Sequence, residues 1–300
     1  NFEKNNRAAG HGVSIYSCTA FTASLTSCQV KRRTPEFGTA NLDVSQLARS
    51  AMFSHNHRKN FDGNSAAIAG GSGGIGSVIV PWLMQEKKHT SSTVFCRSGR
   101  SSYLHSCSAV DIASVVNVAR SDISVSEEAL YGGCKVAQDR ENPQLVTSVH
   151  ACGVLSDAII RNQTVGTLRK TTAPKISSIL HSSPACVDAI SHCLTFSSIA
   201  TLLGSPGQSN YAAANGALDA WSTALRDEGS PVVSIQWGAW HGAGMGGMAA
   251  SNPGKVLSKL TQLGFGLLTP KVGIRALRDI MDEITTCGPV IMVSPFDPSR

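Results

Sequence analysis

AIAGGSGGIG, residues 67–76, decides the fold: a short apolar run ends in five glycines within seven residues. Gly71, Gly73 and Gly76 stand in a G-x-G-x-x-G frame directly after that run. Glycine allows a tight turn and lets a backbone approach a pyrophosphate, whose charge is then stabilised by amides at the N-terminus of the following helix. The motif is weak alone and gains meaning from a strand before it and a helix after it.

Outward from this loop, short β-rich runs recur at residues 66–69, 93–96, 115–118, 145–150, 193–197, 232–237 and 289–293. Most are separated by stretches long enough for a helix, the signature of βαβ units and a parallel sheet covered on both faces. The expected fold is therefore α/β, a doubly wound parallel-sheet Rossmann fold. One local conflict is Pro81, inside the helix expected after the glycines, where proline costs about 3 kcal/mol and is expected to kink and weaken the domain. The second run ends in CRSGR, residues 96–100, with Arg97 where NAD-binding proteins place an acid for the ribose 2′-hydroxyl. An arginine there pairs instead with a 2′-phosphate, which favours NADPH, and Arg100 is placed to share that role.

A second stretch carries chemistry. TFSSIATLLGSPGQSNYAAAN, residues 195–215, runs from a strand ending in Ser197 and Ser198 through a Gly/Pro turn to Tyr211, thirteen residues after Ser198, with Asn215 four further on. With Tyr211 opening a helix after the turn, its phenol returns beside Ser198, and two hydroxyls converge to orient a carbonyl oxygen and protonate it.

This pattern resembles the short-chain dehydrogenase/reductases, and SPGQSNYAAAN is similar to the ketoreductase domain of modular (type I) polyketide synthases. Ordinary members of that superfamily carry lysine where this chain has Asn215; here Lys175 lies thirty-six residues before Tyr211. That exchange of Lys and Asn characterises the polyketide and animal fatty-acid synthase ketoreductases. The resemblance spans residues 61–300 and implies the short-chain dehydrogenase/reductase fold with a small lid. It implies catalysis by Tyr211 as proton donor, Ser198 as hydrogen-bond donor, Lys175 lowering the tyrosine's pKa and binding the nicotinamide ribose, and Asn215 ordering hydrogen bonds and water; Ser197 is the lesser candidate. It also implies NADPH contacts from Gly70, Gly71, Ser72, Gly73, Gly74, Ile75, Gly76, Arg97, Asp122, Ile123, Ala151 and Gly153, together with Tyr211 and Lys175. In the family's frame the key glycines are Gly70, Gly74 and Gly76, and Ala69 replaces a common threonine. HACG, residues 150–153, matches the strand end under the cofactor, with His150 structural and Cys152 a packing residue.

The same resemblance bears on stereochemistry, assigned to Asp157, Leu203, Gln208 and Trp237. Leu203 stands eight residues before Tyr211, where members of the opposite hand carry tryptophan. Leu155-Ser156-Asp157 matches the Leu-Asp-Asp segment of B-type members at its first and third positions, and Pro206 and Asn210 stand where those members have Pro and Asn. The product expected is the (3R)-hydroxyacyl thioester. The implied activity is that of an NADPH-dependent 3-oxoacyl-[acyl-carrier-protein] reductase, with acyl carrier protein and other synthase domains as partners. The same reaction in a fatty-acid synthase is one alternative, and a catalytically silent structural module is another.

Composition agrees with a globular enzyme: 42% hydrophobic, 15% charged. Residues 1–60 hold eight Lys/Arg against three Asp/Glu, so most of the net charge of +6 sits there and the body is nearly neutral. No basic helix or aromatic-interleaved patch suggests nucleic acid. No run approaches the roughly eighteen apolar residues of a membrane span. Nine scattered cysteines without a C-x-x-C pair suggest reduced thiols in an intracellular, cytoplasmic protein. His192, Cys193 and Cys186 invite a zinc reading, but structural zinc sites draw on closely spaced ligand pairs, and no metal is expected. Residues 1–60 lack periodicity and read as a linker, a remnant of a structural subdomain, or a transit segment that would direct the chain to a plastid or other organelle. Residues 61–300 read as the catalytic domain. WGAWHGAGMGGMAA, residues 237–250, opens an expected lid over residues 238–268, with a short amphipathic helix at 257–267.

Overall fold

The computed structural model describes residues 13–17, 64–86, 89–98, 116–122, 144–177, 190–241, 258 and 260–297. Arg100, Ile123, Cys186 and residues 242–257 of the expected lid lie outside the described residues, as does the 1–60 segment apart from 13–17.

In chain order the elements are β1 (Val13–Ser17), β2 (Asn64–Ala69), α1 (Gly76–Gln85), β3 (Ser91–Cys96), β4 (Val116–Arg120), β5 (Gln144–His150), α2 (Val165–Thr172), β6 (His192–Ser198), α3 (Ala200–Leu203), α4 (Ser209–Asp227), β7 (Val232–Trp237), α5 (Pro270–Asp282) and β8 (Val290–Pro295). One sheet runs in the order β1-β8-β7-β6-β5-β2-β3-β4. β2 through β8 are parallel throughout, and β1 lies antiparallel on the β8 edge, Val13 opposite Pro295 and Ser17 opposite Ile291. All seven expected runs are strands of this sheet. β1 adds an eighth inside the segment expected to be without regular structure.

Parallel strands covered on both faces must be apolar on both, and β7 is buried along its whole length. The main core joins Ile68, Val94, Val149, Leu194 and Ile235 of the sheet to Ile79 and Leu83 of α1 and to Leu277 and Ile280 of α5. α5 shows why such a helix forms. Thr269 accepts the Val272 N–H as N-cap, Pro270 occupies the first helical position, and Gly273, Ala276, Leu277, Ile280 and Met281 repeat at helical spacing on the buried face. α1 runs through Pro81 to Gln85, with Glu86 N bonded to Trp82 O at 2.9 Å. The helix is continuous through the proline, which deprives the Ser77 carbonyl of its amide partner, while Ile79, Val80, Trp82 and Leu83 hold it to the core.

Strand order reverses between β2 and β5, so the connections that leave their carboxyl ends part to opposite sides and open the crevice where open α/β sheets bind ligands. Both ends of the expected lid are fixed to the body. Trp240 bridges Leu268, with His241 N bonded to Leu268 O and Leu268 N to Ala239 O, each at 2.8 Å, and Phe265 bridges Phe296. Of the helix expected at 257–267, the described residues show a helical turn at 260–262 before the chain straightens at Phe265. No helix among the described residues is long and apolar enough to cross a membrane.

Candidate active site

The glycine loop occupies the β2 side of the crevice. Gly70 has φ +79°, and a Cβ there would lie 2.8 Å from the Ala151 carbonyl carbon, so glycine lets the ends of β2 and β5 touch. A Cβ on Gly76 would fall 2.3 Å from the Gly71 oxygen, which seats the first turn of α1 directly on the loop. Gly73 N bonds to Gly70 O at 3.0 Å and closes the turn. Ser72, Gly74 and Ile75 are half-buried around it and Gly73 is exposed. No side chain caps α1 at its N-terminus, where the aligned peptide dipoles favour an anion.

Arg97 follows β3 and is exposed, and Asp122 is exposed just beyond β4, the two ends tied by Ser121 N to Cys96 O at 3.0 Å. Cys152, beyond β5, is pushed up to about 12 by burial and feels Lys175, Arg97, Asp122 and Cys96. Those groups therefore gather at the carboxyl ends of the strands. It stays a thiol at neutral pH and packs with Ala67, Ala69 and Phe95. A glycine cradle with an uncapped helix end and a nearby arginine suits a dinucleotide with an extra phosphate.

On the other side, β6 ends in buried Ser197 and Ser198, and α4 begins two residues before Tyr211. Hydrogen bonds from the Asn215 and Ser198 side chains draw the tyrosine's pKa down, but burial outweighs them and leaves it raised, with Asp157 adding to the rise. Ser198 Oγ also accepts Ala200 N at 3.2 Å, and Asn215 Nδ2 donates to the Tyr211 carbonyl at 2.8 Å.

Lys175 arrives from a different element. α2 widens at Ala173–Ser177 into a π-type turn, where Pro174 has no N–H to continue the α ladder. His150, pushed down to about 4 by burial and then by Lys175, is neutral and donates from Nε2 to the Pro174 carbonyl at 2.9 Å, holding this turn against β5. Lys175 is 2% exposed and donates to the Phe196 carbonyl at 2.7 Å. Its ammonium stands over the Tyr211 ring, 5.7 Å from the centroid. Burial lowers its pKa to about 8, against Cys152 and Asp219, which raise it. The amine is anchored on a β6 carbonyl and faces the ring, and the hydrogen bonds that draw the tyrosine's pKa down come from Asn215 and Ser198. A Cβ on Gly153 would come within 3.4 Å of Lys175 Cε, so the β5 loop passes directly over the lysine.

Gln208, buried ahead of α4, donates to Asp157 Oδ2 at 3.1 Å. Leu203 ends α3 and packs toward Ile199, Phe265 and Met292. Trp237, assigned to stereocontrol by the resemblance, packs in the core, edge-on to Phe196 and Trp240 at centroid distances of 5.4 and 5.0 Å. Its place at the end of an all-buried central strand is the physical reason. Asn210, singled out above with Pro206, accepts Tyr211 N at 2.9 Å and donates to Ser156 O at 2.8 Å. Asp219 carries little sequence signal: it is a helix acid indistinguishable in sequence from a surface one.

Residues 65–242 match the family model for the KR domain. The chain is 35% identical over 186 residues to one component of the phenolphthiocerol/phthiocerol polyketide synthase of Mycobacterium tuberculosis, covering 59% of this chain and 8% of that protein. It is 34% identical over 159 residues to the 6-methylsalicylic acid synthase of Penicillium terrestre, covering 52% of this chain and 9% of that one. The chain thus spans under a tenth of these relatives' length. Among solved structures it superposes on an A1-type ketoreductase with TM-score 0.65 and 26% identity, covering 80% of this chain and 49% of that one. A ketoreductase from the first module of phoslactomycin biosynthesis in Streptomyces sp. HK803 gives TM-score 0.67 at 22% identity, over 82% of this chain and 56% of that one, which speaks to fold alone.

Proposed function

The chain belongs to the KR domain family, and from that premise we propose that it reduces a β-ketoacyl thioester, carried on an acyl carrier protein of a polyketide synthase, to the β-hydroxyacyl thioester. The observation that supports this most is the meeting of Ser198, Tyr211, Asn215 and Lys175 beside the Gly70–Gly76 loop. NADPH is the fitting cofactor, with its phosphates at the loop and Arg97, and when bound it would supply the hydride for the carbonyl carbon. As the carbonyl oxygen gains charge, Tyr211 O–H gives it a proton and Ser198 donates a hydrogen bond to it. The raised pKa of Tyr211 keeps the phenol protonated until that moment. Lys175 supports the ring of Tyr211 and would hold the nicotinamide ribose, and Asn215 holds the helix turn that carries the phenol.

The test is oxidation of NADPH by the purified protein with a β-ketoacyl N-acetylcysteamine thioester. Turnover, with NADPH preferred over NADH, is expected, and Arg97→Ala should weaken NADPH at least about tenfold more than NADH. A folded protein that binds NADPH but turns over no ketoacyl thioester would support the silent-module alternative.

A further inference from the structure

α4 presents a polar row to the sheet at Tyr211, Asn215, Asp219 and Ser222, positions that fall on one helix face. Ser222 Oγ meets Thr195 Oγ1 at 3.1 Å, and Ser197 Oγ donates to the Asn215 carbonyl at 3.4 Å. Asp219 accepts Ser234 Oγ at 2.6 Å and Gln236 Nε2 at 2.8 Å, both from β7, and a further hydrogen bond from Ser197. A helix packed on a parallel sheet can bury apolar residues instead, whereas a carboxylate costs several kcal/mol unless paired. Apolar contact tolerates sliding. Two short bonds to residues on one face of one strand fix both rotation and axial position. Tyr211 lies about 12 Å up the same helix, so an error at Asp219 is carried to the phenol.

The charges around Lys175 point the same way. Cys152 and His150 are neutral through burial, Arg97 and Asp122 are exposed at the strand ends and act on Cys152, and Asp157 is exposed and acts on Tyr211. Lys175 holds the Phe196 carbonyl and Asp219 takes a hydrogen bond from Ser197, so the two groups meet β6 at adjacent residues. Burial raises the pKa of Asp219, hydrogen bonds from Ser234, Gln236 and Ser197 draw it back, and Asp219 in turn raises that of Lys175.

We propose that Asp219 is a positioning residue for the reaction at Tyr211: its carboxylate locks α4 to β7 so that the phenol stays beside Ser198, and it is the buried counter-charge of Lys175. This rests on the ketoreductase reading above.

Asp219→Asn removes the charge at nearly constant volume. Its kcat should fall about tenfold or more while the KM for NADPH stays within about twofold. The alkaline limb of its rate profile should move to lower pH, because Lys175 loses the acid that raises its pKa. Ser222→Ala cuts the neighbouring tether to Thr195 and should lower the melting temperature with kcat and limb intact. Hydrogen exchange at residues 209–215, faster in Asp219→Asn than in Ser222→Ala, decides the positioning role even if the wild-type protein proves inactive. Should Asp219→Asn not fold, Ser234→Ala removes one donor and carries the same kcat and exchange tests. Unchanged kcat and exchange in the folded variants, an unmoved limb in Asp219→Asn, or an equal rate loss in Ser222→Ala overturns the proposal.

Discussion

Tyr211 is pulled two ways, burial holding its proton on and the Ser198 and Asn215 hydrogen bonds easing it off. A group tuned for a developing oxyanion should matter to the transition state and little to cofactor binding. Tyr211→Phe should therefore lower kcat by about 10²–10⁴-fold with NADPH affinity within about twofold, measured by single-turnover kinetics and fluorescence titration. Wild-type turnover would mean another group gives the proton. His150 does its work uncharged. Its folded pKa of about 4 lies below the ordinary 6.5, so the folded state binds fewer protons between those values. Stability from this residue is present above pH 6.5 and is lost as pH falls toward 4, up to about 3 kcal/mol. His150→Gln, which can still donate to the Pro174 carbonyl, should flatten the fall in urea midpoint over that range; an unchanged slope would assign the acid sensitivity elsewhere.

Among the elements, the Gly70–Gly76 loop and α1 behave as one unit. Gly76→Ala sets a Cβ against the Gly71 backbone at 2.3 Å, where no flexible side chain can yield. It should cost about 1–3 kcal/mol and weaken NADPH at least about tenfold, by thermal melt and titration. Gly216→Ala in α4, with nothing within 4 Å of the new methyl, should stabilise by about 1 kcal/mol and serves as the contrast. The seven parallel strands were legible because each is a compact β-rich run spaced by a helix-length stretch. VSIYS of β1 was not, since five residues carry their meaning only when β8, some 280 positions on, is beside them. The site divides in the same way: Ser198, Tyr211, Asn215 and Lys175 announce themselves by spacing. Asp219 is defined by Ser234 and Gln236, partners that only the docking of α4 on β7 reveals.

For the molecule as a whole, the sheet does not choose the hand of the product. Selection must come from what flanks the phenol. On one side, the loop after β5 brings Asp157 to Gln208 and is tied to the start of α4 by Asn210 through Ser156, so the acid has a fixed place beside the tyrosine helix. On the other, Leu203 packs toward Ile199 and Phe265 and offers no indole. On the proposed function, an acid-bearing loop together with a short aliphatic side chain in place of an indole would leave one approach for a pantetheine arm and so present one face of the carbonyl. The expected product from a simple β-ketoacyl thioester is therefore the (3R) alcohol, and Asp157→Ala should erode its excess while leaving NADPH affinity unchanged. Chiral chromatography reads both results; a predominantly (3S) product from the wild-type protein would overturn the assignment, and an undiminished excess in Asp157→Ala would move stereocontrol away from this loop.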